Sequence, residues 1–140
     1  MTPEQIQKMG GIYFDKIQNG MTAYDWESQY FSPRMADQFL RKLWEENGED
    51  SSFVDCYFPF LEQESQERVL SVLNEKQQAY LKEISREQQE LLLPLSDELM
   101  EIALLLIDRE MLFFSFYFTK TPCTIWGNYK QEYLIFRKKH

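Results

Sequence analysis

Few residues in this chain have the side chains that catalysis usually requires. The only histidine is His140, the last residue, so a serine or cysteine nucleophile would depend on a terminal imidazole as its base. The two cysteines, Cys56 and Cys123, are far apart and lack the CxxC spacing that is typical of zinc and redox sites. Neither a GxGxxG nor a GxxxxGK(S/T) motif occurs, so the sequence has no glycine-rich loop for a nucleotide phosphate.

Carboxylates are the chemical groups that remain in quantity. Asp97 with Glu101, and Asp108 with Glu110, have spacings that could form a hydrolytic or Mg²⁺-binding pair. The same spacings are typical of helix caps and solvated helix faces, and we favour this interpretation. We therefore predict no catalytic residue, no metal site and no cofactor. A carboxylate- and Mg²⁺-dependent hydrolase is the least favoured alternative.

Charge is unevenly distributed along the chain. The net charge is −8, yet residues 1–110 carry 22 acidic and 10 basic side chains, whereas residues 111–140 carry one acidic and five basic side chains. An acidic body repels phosphates, so we predict no nucleic-acid binding. Such a surface can attract a basic protein by electrostatic steering, although the same charge also keeps a protein soluble.

The sequence also bears on the compartment. The N-terminal residues lack the basic and apolar regions of a signal peptide. The apolar runs are shorter than a bilayer span, and the charged residues 108–110 interrupt the longest of them. We therefore expect a cytoplasmic protein that does not bind membranes, with both thiols reduced and buried.

Helix signals dominate the first three-quarters of the chain. Caps and apolar periodicity predict helices from Thr2 to Asn19-Gly20, over Thr22–Tyr30, from Ser32 to Asn47-Gly48, over Glu62–Glu90 with an alternative break near Ser85, and from Ser96 to Ile107. Phe53–Leu61 is interpreted as a helical turn or an irregular apolar segment, because Pro59 interrupts it. Leu91–Leu95 is interpreted as a short strand or a kinked helix end.

The most aromatic segment is Met111–Tyr129, and it favours strands over helices. We predict strands over Met111–Phe118, Cys123–Trp126 and Tyr133–Phe136, with Gly127-Asn128 as a hairpin turn or a bulge. The chain is thus predicted to be a single α+β domain. A mainly helical body, residues 1–110, packs on a small C-terminal antiparallel sheet of about three strands, residues 111–137.

The absence of catalytic motifs and the acidic body together favour a binding function. We predict a non-enzymatic, acidic protein-binding module, in concrete form an immunity or antitoxin-type protein that neutralises a basic partner such as a nuclease toxin. The alternative is a structural or regulatory protein that self-associates into a homo-oligomer through a helix face or a sheet edge. The residues predicted to contact a partner are Glu62, Glu64, Glu67, Glu83, Glu87, Glu90, Trp126, Asn128, Tyr129 and Tyr133.

Overall fold

The computed structural model describes residues 1–139, so the one histidine, His140, lies outside the described residues. The helices are α1 (Pro3–Lys8), α2 (Ile17–Ala23), α3 (Pro33–Asn47), α4 (Gln63–Ser71), α5 (Glu75–Glu87) and α6 (Asp97–Asp108). The strands are β1 (Asp25–Tyr30), β2 (Ser52–Asp55), β3 (Leu92–Pro94), β4 (Ser115–Phe118), β5 (Cys123–Gly127) and β6 (Glu132–Arg137). All six form one antiparallel sheet in the order β1-β6-β5-β4-β2-β3.

The predicted fold class is wrong in the size and composition of the sheet. The prediction placed about three strands in residues 111–137, but β1, β2 and β3 join from the part that was predicted to be a helical body. The segment Thr22–Tyr30, predicted as a helix, contains β1, which pairs with β6 over all six of its residues. Pairing with a distant strand therefore overrides the local capping signal at Thr22.

Two further helix predictions have the wrong boundaries. Asn19-Gly20 lies inside α2 rather than at a helix end, and a Cβ on Gly20 would clash with the ring of Phe14. The Glu62–Glu90 helix is divided before Glu75 rather than near Ser85. There the side chain of Asn74 accepts a hydrogen bond from the Gln77 amide, and the Gln77 side chain accepts one from the Asn74 amide. This reciprocal cap stabilises a new helix start.

Other local predictions are confirmed. Thr2 and Gln5 form the predicted capping box at the start of α1. Ser32 caps α3 and Ser96 caps α6 through bonds to backbone amides. The alternative of a short strand within Leu91–Leu95 is correct, as β3 shows.

One face of the sheet, here called the helix face, packs against α3, α4, α5 and α6. Its inward side chains include Val54, Phe116, Ile125 and Ile135, each at most 1 % exposed. α6 is apolar on nearly all sides and lies at the centre of this layer, as its composition predicts. Within residues 1–139, no helix combines the length and hydropathy that crossing a membrane requires.

The other face, here called the strap face, is covered by residues 1–24. Phe53 and Tyr117 pack against Ile6 of α1, and Leu134 and Phe136 pack against Ile12 and other residues of this segment. Between α1 and α2 a connection that is neither helix nor strand, residues 10–16, crosses the sheet, and we call it the strap. The sheet is therefore buried on both sides, which explains why β4 and β6 are apolar at successive positions.

A buried hydrogen bond fixes the strap to the sheet. The hydroxyl of Thr124, fully buried in β5, donates to the backbone carbonyl of Ile12 at 2.7 Å. Gly10 has φ +89, and a Cβ on Gly11 would lie 2.8 Å from side-chain atoms of Ile6 and Thr119. The glycine pair therefore permits a turn at Gly10 and a close approach of the backbone at Gly11.

We predict that Thr124→Val destabilises the protein. Valine has nearly the same shape, but it leaves the buried Ile12 carbonyl without its donor, so the free energy of unfolding should fall by about 1–2 kcal/mol. Urea denaturation measures this change. Thr121→Val, at an exposed position, is the matched control and should change the free energy by less than about 0.5 kcal/mol. Equal effects of the two substitutions would show that the hydrogen bond from Thr124 to Ile12 does not stabilise the protein.

Candidate functional site

Three polar or amphipathic side chains form a row across the strap face. Ser115 of β4 lies opposite Trp126 of β5. Asp55 follows Val54, which pairs with Phe116, so the antiparallel register places Asp55 beside Ser115. The amide of Ser115 donates to Asp55 Oδ1 at 2.8 Å. The row joins a carboxylate, a hydroxyl and an indole that are distant in the sequence.

The strap places aromatic rings over this row and beside it. Tyr13 stacks on Tyr117 with ring centroids 5.6 Å apart, and Phe14 stacks on Trp126 with centroids 4.9 Å apart. A cavity of about 270 Å³ remains between the strap and the sheet, and we call it the strap pocket. Its lining residues are Tyr13, Phe14, Asp15, Asp55, Tyr57, Phe113, Ser115, Tyr117, Trp126 and Gly127.

Asp55 is the charged centre of the strap pocket. It is only 3 % exposed, and no basic side chain is among the described residues that line the pocket. Burial raises the pKa of Asp55 to about 7, although hydrogen bonds from Ser115 and Tyr117 act in the opposite direction. Near neutral pH this carboxyl group therefore exchanges readily between its protonated and ionised forms.

The tyrosines and the tryptophan of the pocket supply hydrogen-bond donors. Burial raises the pKa of Tyr117, Tyr13 and Tyr57, and the charge of Asp55 raises each of them further, so these hydroxyls are neutral at physiological pH. Trp126 Nε1 is buried and has no hydrogen-bond partner within residues 1–139. An indole N–H is a donor only, so this atom requires an acceptor that the described chain does not supply.

The combination of these groups defines a ligand class. Aromatic faces and an ionised carboxylate both attract cations, the former through the negative potential of the ring face. The strap pocket is thus suited to an ammonium or guanidinium group.

The structure separates the four C-terminal residues that were predicted to contact a partner. Trp126 lines the strap pocket. Tyr129 is 58 % exposed and packs edge-on against the pocket residue Phe113, with centroids 4.6 Å apart. Asn128 caps the β5–β6 turn by accepting from the Tyr129 amide and donating to Glu132. Tyr133 is 2 % exposed and points to the helix face, where it cannot meet a partner in this conformation.

The six predicted glutamates all lie at the surface, but on or next to the helical layer. Glu62, Glu64 and Glu67 lie at or within α4, Glu83 and Glu87 lie on α5, and Glu90 follows α5. Glu90 pairs with the N-terminal ammonium of Met1. α5 also exposes Lys82 and Arg86, so its surface is of mixed sign. α4 and α5 pack against the helix face, whereas the strap pocket lies on the opposite face, so the structure does not bring these glutamates together with Trp126.

The two carboxylate pairs considered for catalysis have structural partners. Asp97 accepts from Arg41 Nη1 at 2.6 Å, and Glu101 accepts from the Gln77 side chain at 3.0 Å. Asp108 accepts from the side chain of Gln131, and Glu110 accepts from the amide of Lys130. Within residues 1–139, no three His, Cys, Asp or Glu side chains are grouped as a metal site requires.

The two cysteines are unpaired and buried, as the sequence predicts. Burial raises the pKa of both Cys56 and Cys123 to about 11, so both are thiols rather than thiolates at neutral pH. Neither is in the electropositive, accessible setting of a reactive cysteine.

Sequence analysis missed Asp55, Tyr13 and Phe14 as site residues. Asp55 is the one acidic residue in the apolar run Phe53–Leu61, and a lone carboxylate at a buried strand position is a signal that can be recognised. Tyr13 and Phe14 carry no such signal, because they were placed in a helix and their position over Asp55 depends on the strap.

Comparisons with models of protein families, with curated proteins and with solved structures found no match to this chain.

We predict that Asp55 makes the protein less stable as the pH rises. The carboxyl group ionises near pH 3.8 in the unfolded chain but near pH 7 in the folded protein, so ionisation favours unfolding between these values. The free energy of unfolding should therefore fall by about 2–3 kcal/mol from about pH 5 to about pH 8 because of this group. Asp55→Asn should abolish this fall in the free energy of unfolding. Urea denaturation at several pH values measures the change.

The matched control for that series is Asp15→Asn, at an exposed acid that lines the same pocket. It retains Asp55 and should therefore retain the wild-type decline in stability with pH. If Asp55→Asn and the wild-type protein show parallel profiles, the carboxyl group is not held protonated by burial.

Proposed function

We propose that this protein is a non-enzymatic binding module for a basic protein, and that the strap pocket receives one lysine or arginine side chain of that partner. The observation that carries the proposal is the placement of a buried carboxylate, Asp55, beneath aromatic walls with no cation of the described chain beside it. Burying an unpaired carboxylate costs free energy, and a cation from outside would recover part of that cost.

The dimensions of the strap pocket favour a side chain rather than a larger ligand. Small-molecule sites usually enclose about 300–1,000 Å³. The strap pocket, at about 270 Å³, is smaller than these and matches a single long side chain that enters from solvent. The stem of lysine or arginine would contact the rings of Tyr13 and Trp126, while its charged end would reach Asp55.

The hydrogen-bonding groups support a peptide as the source of the cation. A lysine or arginine residue brings a backbone carbonyl close to its side chain. Trp126 Nε1 lacks a partner among the described residues and is closed to solvent, so that carbonyl can accept from it only after the indole shifts toward the pocket on binding. A simple inorganic cation offers no such acceptor and would leave the indole N–H unsatisfied.

The charge of the chain supports a basic partner as a whole. The net charge of −8 would accelerate association with a positively charged protein and make the rate sensitive to salt. In its concrete form, this proposal describes an immunity or antitoxin-type protein that neutralises a basic toxin such as a nuclease. The main contact with the partner is then made by the strap pocket rather than by the glutamates of α4 and α5.

We predict that short peptides with a central lysine or arginine bind the strap pocket. The same peptide with norleucine at the central position should not bind. The norleucine peptide keeps the apolar stem and lacks the charge, so it isolates the contribution of Asp55. The measurement is an NMR titration that follows the indole N–H signal of Trp126. Asp55→Asn should weaken binding at least about tenfold, since it removes a buried charge partner.

Asp15→Asn again serves as the control, because it changes charge at the rim without altering the buried carboxyl group. Its effect on affinity should be small and should decline as salt is added. Binding of the norleucine peptide with an affinity equal to that of the lysine peptide would refute the proposal.

The affinity of the lysine peptide should also rise with pH. Only the ionised form of Asp55 pairs with a cation, and its pKa is about 7 in the free protein. Binding should therefore be about tenfold tighter at about pH 8 than at about pH 6. Isothermal titration calorimetry over this range measures the change, and Asp55→Asn should be nearly independent of pH. An affinity that falls with rising pH in the wild-type protein would contradict the role of Asp55.

A further inference from the structure

Strand β1 forms one edge of the sheet, and its outer side is unpaired within residues 1–139. All six of its residues are exposed. It pairs with β6 in a continuous register without a bulge, and it contains no proline and no lysine; its charged residues are Asp25 and Glu27. Sheet edges are usually blocked by proline, by charged residues, lysine above all, or by irregular geometry, because a regular edge readily accepts another strand.

The opposite edge of the sheet is poorly suited to pairing. β3 is three residues long and ends at Pro94, which has no amide hydrogen to donate. Any addition of a strand to this sheet would therefore occur at β1.

The direction of the backbone groups of β1 follows from its pairing with β6. Phe31, the residue after β1, donates its amide hydrogen to Gln131 at 2.9 Å. Because antiparallel pairs alternate, the odd-numbered residues of β1 bond to β6, and the even-numbered residues direct their N–H and C=O groups outward. Trp26, Ser28 and Tyr30 therefore present the free donors and acceptors of the edge.

The strand is complementary to itself in one register. If Ser28 lies opposite Ser28 of a second copy, Trp26 lies opposite Tyr30 of that copy, and the outward groups of all three residues pair with one another. This register keeps the strap faces of the two sheets on the same side, as a two-fold axis perpendicular to the sheet requires.

The side chains favour the same arrangement. Trp26 and Tyr30 are 47 % and 66 % exposed and are the large apolar residues of the strand. Facing each other across the strands, they would form two aromatic cross-strand pairs. Glu27 would lie opposite Gln29, so that no two like charges are directly opposed, and Glu27 is already paired with Arg137 at 3.2 Å.

We propose that β1 is a homodimer interface, in which two copies join their sheets edge to edge with Ser28 on the two-fold axis. The product is a continuous twelve-stranded sheet built from two six-stranded ones. An interface of one strand pair is small, so the dimer should be weak and dependent on protein concentration.

A cysteine substitution tests both the contact and its register. Directly opposed, hydrogen-bonded residues have Cα atoms about 5.5 Å apart, which a disulfide can span. Ser28→Cys should therefore form a covalent dimer under mild oxidation, while the buried Cys56 and Cys123 do not react. Gln29→Cys is the matched control, since in this register two copies of residue 29 are more than about 7 Å apart. The absence of a Ser28→Cys dimer, or equally rapid crosslinking of both variants, would overturn the proposal.

A second pair of variants tests the interface without a crosslink. Ser28→Pro removes an outward amide hydrogen and no backbone bond to β6, so the monomer should keep its fold, as circular dichroism will verify. It also removes the side-chain hydrogen bond from Ser28 to Glu132, which the Ser28→Ala control removes as well. Sedimentation over a series of concentrations should show a dimer for the wild-type protein and for Ser28→Ala, and only monomer for Ser28→Pro. Wild-type dimerisation that persists in Ser28→Pro would refute the role of β1.

The effect of salt distinguishes dimerisation through β1 from binding of a basic partner. Two copies of an acidic chain repel one another, so dimerisation should strengthen as salt screens the charge, whereas binding of a basic peptide should weaken. The two results are independent, because β1 contributes no residue to the strap pocket.

Discussion

The hydrogen bond from Thr124 to the strap is the contact that organises the strap face. It holds the strap across the sheet, and this crossing sets the positions of Tyr13 and Phe14 over Tyr117 and Trp126. The same crossing removes Asp55 from water and so raises its pKa. The aromatic walls, the buried carboxyl group and the cavity between them are consequences of one local constraint rather than separate features.

This arrangement also explains why the pocket contains unsatisfied groups. A folded chain usually pairs its buried polar atoms, because each unpaired group costs free energy. Here Asp55 has donors but no cation beside it among the described residues, and Trp126 Nε1 has no acceptor. Such a site is less stable than a fully apolar core would be. Unsatisfied groups on residues that line one cavity are typical of a binding surface, in which a ligand completes the pairing.

The sequence predicts well those features that depend on neighbouring residues. The capping box at Thr2, the amphipathic α3 and the caps at Ser32 and Ser96 are local, and they were predicted correctly. β1 was missed because its six residues are polar or exposed and acquire strand structure only by pairing with β6, far along the chain. For the site, Trp126 could be selected from its type, but its neighbours Asp55 and Tyr13 come from different segments. No periodicity in a single sequence indicates that these segments meet.

The pairing of β1 with β6 has a consequence for the synthesis of the protein. Ser28 and Glu132, which are hydrogen bonded to each other, are separated by 104 positions in the chain. While the ribosome is still adding the central helices, β1 has no strand to pair with, and the sheet cannot close on that side. Contacts of such long range make folding slow, because loop-closure entropy must be overcome first. The helical layer can begin to collapse early, but the strap face can be completed only after residues 132–137 have emerged. The nascent chain therefore carries Trp26 and Tyr30 on an unpaired segment during much of translation, when chaperones have the most time to bind it.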